Sequence, residues 1–223
     1  FTPYVLRSDD RGRTWRSVAG DLPAGHTVWA LAEDHEAEDL LFVGTEFGVF
    51  ASVDGGERWL KLAGVPTQAV RDVEIQRRES DLVIATFGRG FYILDDYSPL
   101  RTLREELLAK EAVLFEPRRA LSYIETSRLG GTTGRGFLGG THYSAKNPPF
   151  GAVFTYYLKE KVTTRRERRK EAEKQEGWVY PSIEALREED REREPQVLLV
   201  VKDGAGEIIR RIEVSREKGL QRA

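Results

Sequence analysis

An eight-residue pattern, Ser-x-Asp-x-Gly-x-Thr-Trp, constrains this chain more than any other feature. The second copy follows the first after 44 residues and carries Arg58 where the first has Thr14. The residues that define the two copies are Ser8, Asp10, Gly12 and Trp15, then Ser52, Asp54, Gly56 and Trp59.

The residue types of this octet are those of a folded turn between two strands. The Ser and Asp oxygens can accept hydrogen bonds from backbone amides a few residues later, and the Gly supplies a positive φ. The Trp then enters the next strand as a large buried anchor. Each residue has a structural task, so the octet predicts architecture and not catalysis.

A weaker third copy follows. Residues 48–54 align with 90–96 at a spacing of 42, and the preceding residues 44–47 match 85–89. A period of 42 to 44 residues is typical of the four-stranded blades of a β-propeller.

These segments resemble a known family. The octets are similar to BNR (Asp-box) repeats, and residues 44–59 with 85–96 resemble sortilin-type, Asp-box β-propeller proteins of bacteria. The resemblance covers residues 4–96 and implies an all-β fold in which residues 1–97 are the last blades of a propeller. It also implies a non-catalytic interaction or scaffold module of an extracytoplasmic protein, periplasmic or secreted, whose protein, peptide or glycan ligand is unknown.

A closed propeller needs at least about four blades, so we expect this chain to be a fragment whose partners include upstream blades. Apolar surface should then be exposed around Val5, Leu6, Val28 and Leu31, where such a blade would pack. If the propeller binds a ligand, its geometry favours the turns between second and third strands, at Glu46, Phe47 and 87–89, including Arg89.

The second half of the chain has a different pattern. A capping box from Thr102 to Glu105 predicts a short helix to about Lys110, and a Gly- and Pro-rich linker completes residues 98–149. Residues 150–223 resemble the Ig-like domain that follows the propeller in the same family, here truncated and carrying a charged helical insert at 161–194. Thr164 and Ser182 are the expected caps of the two insert helices.

The alternative function is an Asp-box glycoside hydrolase, because proteins of this family are often labelled sialidase-like. Such enzymes use an Arg triad, a Tyr–Glu pair and an acid/base Asp. Arg71, Asp72, Arg89 and Glu46 lie near predicted strand ends, but no Tyr falls beside a Glu in a matching position. This alternative therefore places the catalytic residues in missing upstream blades.

Several other classes of function are disfavoured by composition and spacing. A net charge of −2 argues against nucleic-acid binding, and no apolar run approaches the length of a membrane span. The GxGxxG pattern at 134–139 sits in the linker, without the strand and helix of a dinucleotide site. The basic run 165–170 is balanced by acidic residues at helical spacing, which predicts a solvated helix.

No cofactor or metal site is predicted. The three histidines, His26, His35 and His142, are scattered without the spacing of metal ligands, and we expect them at the surface. The chain also lacks cysteine, which excludes disulfides and thiolate chemistry.

Overall fold

The computed structural model describes residues 2–122, 150–175 and 177–223. These residues form mostly strands in small antiparallel sheets with few helices, as expected of an all-β chain. The chain divides into two compact units, Phe1–Glu105 and Glu106–Ala223. The linker at 129–149, its GxGxxG pattern and His142 lie outside the described residues.

The first unit contains three antiparallel sheets in chain order. Sheet I pairs β1 (Leu6–Arg7) with β2 (Arg16–Ser17). Sheet II has the order β3 (Val28–Glu33), β4 (Leu41–Thr45), β5 (Gly48–Ser52), β6 (Leu60–Lys61). Sheet III has the order β7 (Val70–Gln76), β8 (Asp81–Thr86), β9 (Gly90–Leu94).

Sheets II and III repeat the same local details. Thr45 Oγ1 donates to the carbonyl of Gly48 at 2.9 Å, and Thr86 Oγ1 donates to the carbonyl of Gly90 at 2.8 Å. The first strand of each sheet has a register shift near its start: in β3 the ladder passes over Trp29, and in β7 it passes over Arg71. Each bulge leaves one residue without a cross-strand partner.

Alternating apolar side chains bury both faces of sheet II. One face contributes Phe42, Val49 and Ala51 to a core shared with residues of sheet III, including Val73, Leu82 and Ile84. The opposite face contributes Leu41, Val43 and Phe50 to a second core with residues flanking sheet I, including Val5, Val18 and Leu22. A strand that is apolar on both faces is typical of a sheet enclosed between two others.

The expectation of exposed apolar surface is correct only in part. Leu6 and Leu31 are about half exposed, at 50% and 49%. Val5 is instead buried and Val28 is half-buried, because both pack in the core between sheets I and II. Val5 and Val28 are thus covered by residues of the chain itself and do not form an exposed apolar surface.

The segment after β9 also differs from expectation. A 3₁₀ helix spans Ser98–Thr102, and a single α-helical turn, α1, spans Glu105–Leu108. Thr102 ends the 3₁₀ helix and its hydroxyl donates to the carbonyl of Pro99 at 3.1 Å, so it does not cap the predicted helix. Proline near the start of a helix fixes φ and favours this earlier beginning.

The second unit contains two further sheets. In sheet IV, β11 (Thr155–Leu158) lies between β10 (Ala112–Leu114) and β14 (Gly219–Arg222). Sheet V is the hairpin of β12 (Val197–Lys202) and β13 (Ile208–Val214), with Asp203 organising the turn by accepting from two backbone amides. Among the residues of this unit that the structure describes, the buried apolar ones are Tyr156, Leu158 and Phe115.

The charged insert forms two helices, α2 (Arg165–Ala172) and α3 (Ile183–Arg191). Thr164 and Ser182 cap them through their side-chain oxygens. Arg169 joins the helices by pairing with Glu189 at 2.9 Å, and no residue of either helix is buried. The insert is therefore held by caps and ion pairs and not by an apolar core.

No helix in the described part of the chain combines the length and apolarity needed to cross a membrane.

Candidate functional site

Both octets form the same hydrogen-bonded turn. In the first, the Gly12 N–H donates to Ser8 Oγ at 2.6 Å, and Asp10 accepts from the Thr14 amide at 2.8 Å. In the second, the Gly56 N–H donates to Ser52 Oγ at 2.9 Å. The bonds from Thr14 lower the pKa of Asp10.

Asp54 has the same position in the second turn. It accepts hydrogen bonds from Ser52 Oγ at 2.7 Å and from the Arg58 amide at 3.0 Å. Burial alone would raise the pKa of Asp54, but bonds from Arg58 and Ser52 outweigh it, and the pKa is lowered. The carboxylates of Asp10 and Asp54 are therefore used as acceptors within their own turns.

The two tryptophans of the octets have different environments. Trp59 is 6% exposed, and its Nε1 donates to the carbonyl of Val18 at 3.1 Å. Trp15 is 61% exposed and folds back over its own turn, where its Nε1 donates to the carbonyl of Gly12 at 3.1 Å. The expectation that both are buried anchors is wrong for Trp15, because only the second octet has the segment 18–21 packed against it.

The contact between the second octet and the segment 18–21 is unusually close. A Cβ on Gly20 would lie 2.2 Å from the carbonyl oxygen of Glu57, and a Cβ on Gly56 would lie 2.4 Å from that of Val18. Both glycines have positive φ, 45° and 93°. The amide of Trp59 adds a hydrogen bond to Asp21 at 2.6 Å. Glycine at both positions thus allows the octet to join sheet I to sheet II.

A cluster of aromatic and charged side chains lies where β3 and β7 begin. The bulge residues Trp29 and Arg71 meet there, with the guanidinium carbon of Arg71 3.9 Å from the Trp29 ring centroid. Phe87, in the turn between β8 and β9, lies 5.6 Å from the same carbon. Glu46, in the turn between β4 and β5, accepts a hydrogen bond from Trp29 Nε1 at 2.7 Å. We call Trp29, Glu46, Arg71 and Phe87 the rim cluster.

Phe47 and His26 lie beside Thr45 at the same end of sheet II. The His26 ring packs edge-on against Phe47, with centroids 4.9 Å apart, and contacts Phe50 at 5.5 Å. Burial lowers the pKa of His26. His26 therefore meets the expectation of a surface histidine only in part: it is half-buried, because its ring packs against two aromatic side chains.

The predicted binding-face residues are only partly brought together. Glu46 belongs to the rim cluster, and Phe47 packs on His26 next to it. Arg89 is exposed and has no hydrogen bond or ion pair to any other described residue. The pairing of Trp29 with Arg71 was not foreseen. Its signal was the spacing of 42 between them, which equals the repeat.

The residues considered for glycoside hydrolysis have other roles in this arrangement. Asp72 is exposed and its Oδ1 accepts a hydrogen bond from the neighbouring Val73 amide at 3.0 Å. Glu46 holds the indole of Trp29. Within residues 2–122, 150–175 and 177–223, no group of His, Asp and Glu side chains is arranged to hold a metal ion.

A buried charged network lies at the opposite end of sheet II. Asp34 follows β3 and accepts two bonds from the Arg101 guanidinium at 2.9 Å, one from Tyr97 Oη, and one from the Ala37 amide at 2.8 Å. Although burial alone would raise the pKa of Asp34, these bonds hold it well below its usual value. Every partner is satisfied, so the network links the β3–β4 turn to the 3₁₀ helix as a structural element.

The second unit has an open cleft of about 940 Å³ near the start of α2. Its walls carry both signs of charge, and Lys161 pairs with Glu217 across 2.7 Å. A cleft whose charges neutralise each other gives a ligand little electrostatic preference. The rim cluster is therefore the stronger candidate site.

Comparisons of the chain with protein-family models, with curated proteins and with solved structures found no match.

Proposed function

We propose that the first unit is built from blades of an Asp-box β-propeller and serves as a non-catalytic interaction module of an extracytoplasmic bacterial protein. In the same proposal, residues 150–223 form a truncated Ig-like domain with a helical insert. Support comes from the repeat of sheets II and III, which share bulges, turn hydrogen bonds and an apolar interface.

The outer face of sheet III also supports the propeller assignment. Phe91 and Ile93 on β9 are exposed, at 76% and 59%. The equivalent residues of sheet II, Val49 and Ala51, are buried against sheet III. In a propeller each blade covers one face of its neighbour. The face of sheet II that sheet III covers corresponds to the exposed face of sheet III, where another blade would pack.

The rim cluster is the observation that carries the interaction role. Propellers bind ligands at the ends of their strands, where turns from successive blades converge. Here two equivalent bulges place an indole and a guanidinium in contact, with an exposed phenyl ring beside them. Aromatic and Arg side chains dominate the binding energy of protein interfaces. Protein or peptide is therefore the proposed ligand class.

The non-catalytic part of the proposal rests on how the carboxylates are used. Those of Asp10 and Asp54 accept hydrogen bonds within their own turns, and Glu46 positions Trp29. Glycoside hydrolysis needs two carboxyl groups at a defined separation, one as acid and one as base or nucleophile. Carboxylates that already accept hydrogen bonds from their own turn or from Trp29 are better suited to holding these groups in place than to transferring protons to a substrate.

Selection from a displayed peptide library against the purified 223-residue chain tests the interaction role. We expect Trp29→Ala and Phe87→Ala to weaken the selected peptides at least tenfold, as loss of a central aromatic contact does. Tyr4→Ala is the matched control, because Tyr4 is an exposed aromatic residue outside the rim cluster.

Two outcomes would contradict the proposal. Selected peptides that bind all three variants equally would place the binding surface elsewhere. Turnover of chromogenic glycosides by the wild-type chain, lost in Arg71→Ala, would favour the glycoside hydrolase instead.

A further inference from the structure

We propose that strand β12 of the second unit is a dimerisation edge, which pairs antiparallel with β12 of a second copy of this chain about a two-fold axis at Leu199. Sheet V would then continue from two strands to four across the dimer. The inference is independent of the rim cluster, because it concerns a different sheet in the other unit.

Sheet V is an incomplete sheet with apolar side chains in solvent. All residues of β12 and β13 are described, and none of them is buried. Leu198 and Val200 on β12 are 46% and 41% exposed. A two-stranded hairpin is only marginally stable in water, and it gains stability when further strands or a packing layer are added. An additional strand beside this hairpin would therefore stabilise it.

The outer edge of β12 is free to accept such a strand. Within residues 2–122, 150–175 and 177–223, residues 197–202 form backbone hydrogen bonds only with β13. Residues 197–201 are Val, Leu, Leu, Val and Val, which carry no charge and include three β-branched side chains. A long apolar edge of this kind is a template for pairing with another chain.

The opposite edge of the same hairpin is protected. β13 carries Arg210, Arg211 and Glu213, and the ladder passes over Ile209, which forms a bulge. Charges and bulges on an edge strand oppose edge-to-edge pairing. Association through sheet V is therefore directed to β12.

The sequence of β12 is complementary to itself. A two-fold axis at Leu199 places this residue opposite its own copy, Val197 opposite Val201 and Leu198 opposite Val200. Opposite residues lie on the same face of a sheet. Half-buried side chains thus meet half-buried ones, and exposed side chains meet exposed ones. Every pair in this register is apolar, which is why we assign a second copy as the occupant.

The ends of β12 also fit this register. Lys202 would lie opposite Gln196 of the second copy and diagonal to its Glu194, a pair of opposite charges. The Glu194 side chain is 75% exposed and pairs with Arg216 in its own chain through Oε1, which leaves Oε2 for the lysine. Pro195 has no N–H to donate and would end the new ladder.

Sedimentation velocity of the full chain tests the association itself. We expect the mass to rise from 25.3 kDa toward twice that value as the concentration increases. One added strand pair is a small interface, so the expected dissociation constant is on the order of 10 μM, and a range of about 1 to 200 μM covers the transition.

Single cysteines test the register, because the chain has none of its own. Leu199→Cys should form a covalent dimer on oxidation with diamide, since its Cβ would lie about 4.5–5.5 Å from that of its copy, near the disulfide range. Val197→Cys is the matched control. Its two copies would be four residues apart along the strands, about 13 Å, and should not cross-link.

Two charge substitutions test the contact across the axis. Leu198→Lys and Val200→Glu should each weaken the dimer at least tenfold, because each places a charge against an apolar side chain of the second copy. Both should fold, since the new charges face Glu213 and Arg211 in their own hairpin. An equal mixture should associate more tightly than either variant alone, because the introduced lysine then faces the introduced glutamate. Ile209→Lys, on β13, is the control and should leave the dissociation constant unchanged.

Several results would overturn the assignment. A chain that stays monomeric at about 200 μM, well above the expected dissociation constant, would refute dimerisation. Equal cross-linking of the two cysteine variants, or equal weakening by Ile209→Lys and Leu198→Lys, would refute pairing through β12. Assembly beyond a dimer would refute the two-fold arrangement. A monomer whose β12 amides are protected from hydrogen exchange on both edges would assign the edge to another segment of the same chain.

Discussion

The two octet tryptophans provide an internal comparison. Trp59→Ala removes a ring that is packed against the segment 18–21, whereas Trp15→Ala removes a ring that is mostly in solvent. The local turn is the same in both cases, so the difference between the two variants isolates the contribution of packing. We expect Trp59→Ala to be much the more destabilising.

The magnitude follows from the area that each ring buries. A buried tryptophan removes about 150–250 Å² from water, and each buried Å² contributes roughly 25 cal/mol, which gives about 4–6 kcal/mol. Trp59 hides nearly all of its surface and also donates a hydrogen bond to Val18, so truncation should cost about 4 kcal/mol, within the usual range for buried aromatic residues. Trp15 hides less than half of its surface, and its loss should cost about 2 kcal/mol.

Urea unfolding followed by far-UV circular dichroism measures the free energy of unfolding without relying on tryptophan fluorescence. Hydrogen–deuterium exchange read by mass spectrometry would show whether the loss of protection in Trp59→Ala falls in sheets I and II. Equal destabilisation by the two substitutions would refute the reasoning, because it would mean that packing on the segment 18–21 contributes nothing beyond the turn.

Four further outcomes are expected. Asp54→Ala should lower the free energy of unfolding in urea by about 1–2 kcal/mol, as loss of a capping acceptor does, and leave peptide binding intact. Gly56→Ala should lower the melting temperature much more than Gly64→Ala, because both have positive φ but only the first meets a carbonyl oxygen, 2.4 Å away. The stability difference between wild type and Asp34→Asn, measured in urea, should be largest at neutral pH. It should shrink as the pH falls below about 4, because a carboxyl with a lowered folded-state pKa stabilises only while ionised. Deletion of 161–194 should leave the calorimetric transition of the first unit unchanged, since no insert helix buries a residue; a lowered transition would show that the insert supports it.

Features determined within a few residues were predictable from sequence. The Ser and Asp side chains that close both octet turns bond to positions at most four residues away, and the insert caps at Thr164 and Ser182 bond three residues ahead. Such turns depend on local side-chain chemistry alone. The 42-residue spacing likewise indicated corresponding strands, because similar sequences form similar ladders.

Features that depend on distant partners were not predictable. Nothing in the octets distinguishes buried Trp59 from exposed Trp15, because the difference lies in the segment that packs on one of them. Asp34 and Arg101 are 67 residues apart, and neither has a motif that identifies its partner. Trp29 and Arg71 are both bulge residues, which the ladder passes over. A bulge shifts the register by one residue, and the alternation of apolar residues in the sequence does not show where such a shift occurs.

The bulges make positions 29 and 71 unusually open to redesign. The ladder passes over both residues, so exchanging their side chains changes no cross-strand pair. A backbone hydrogen bond also fixes the chain just before each bulge. The Glu46 amide donates to the carbonyl of Thr27, two residues before Trp29, and the Phe87 amide donates to the carbonyl of Ala69, two residues before Arg71. The scaffold therefore offers two adjacent positions outside the ladder, and libraries randomised jointly at these two residues would diversify recognition while the sheets beneath stay constant.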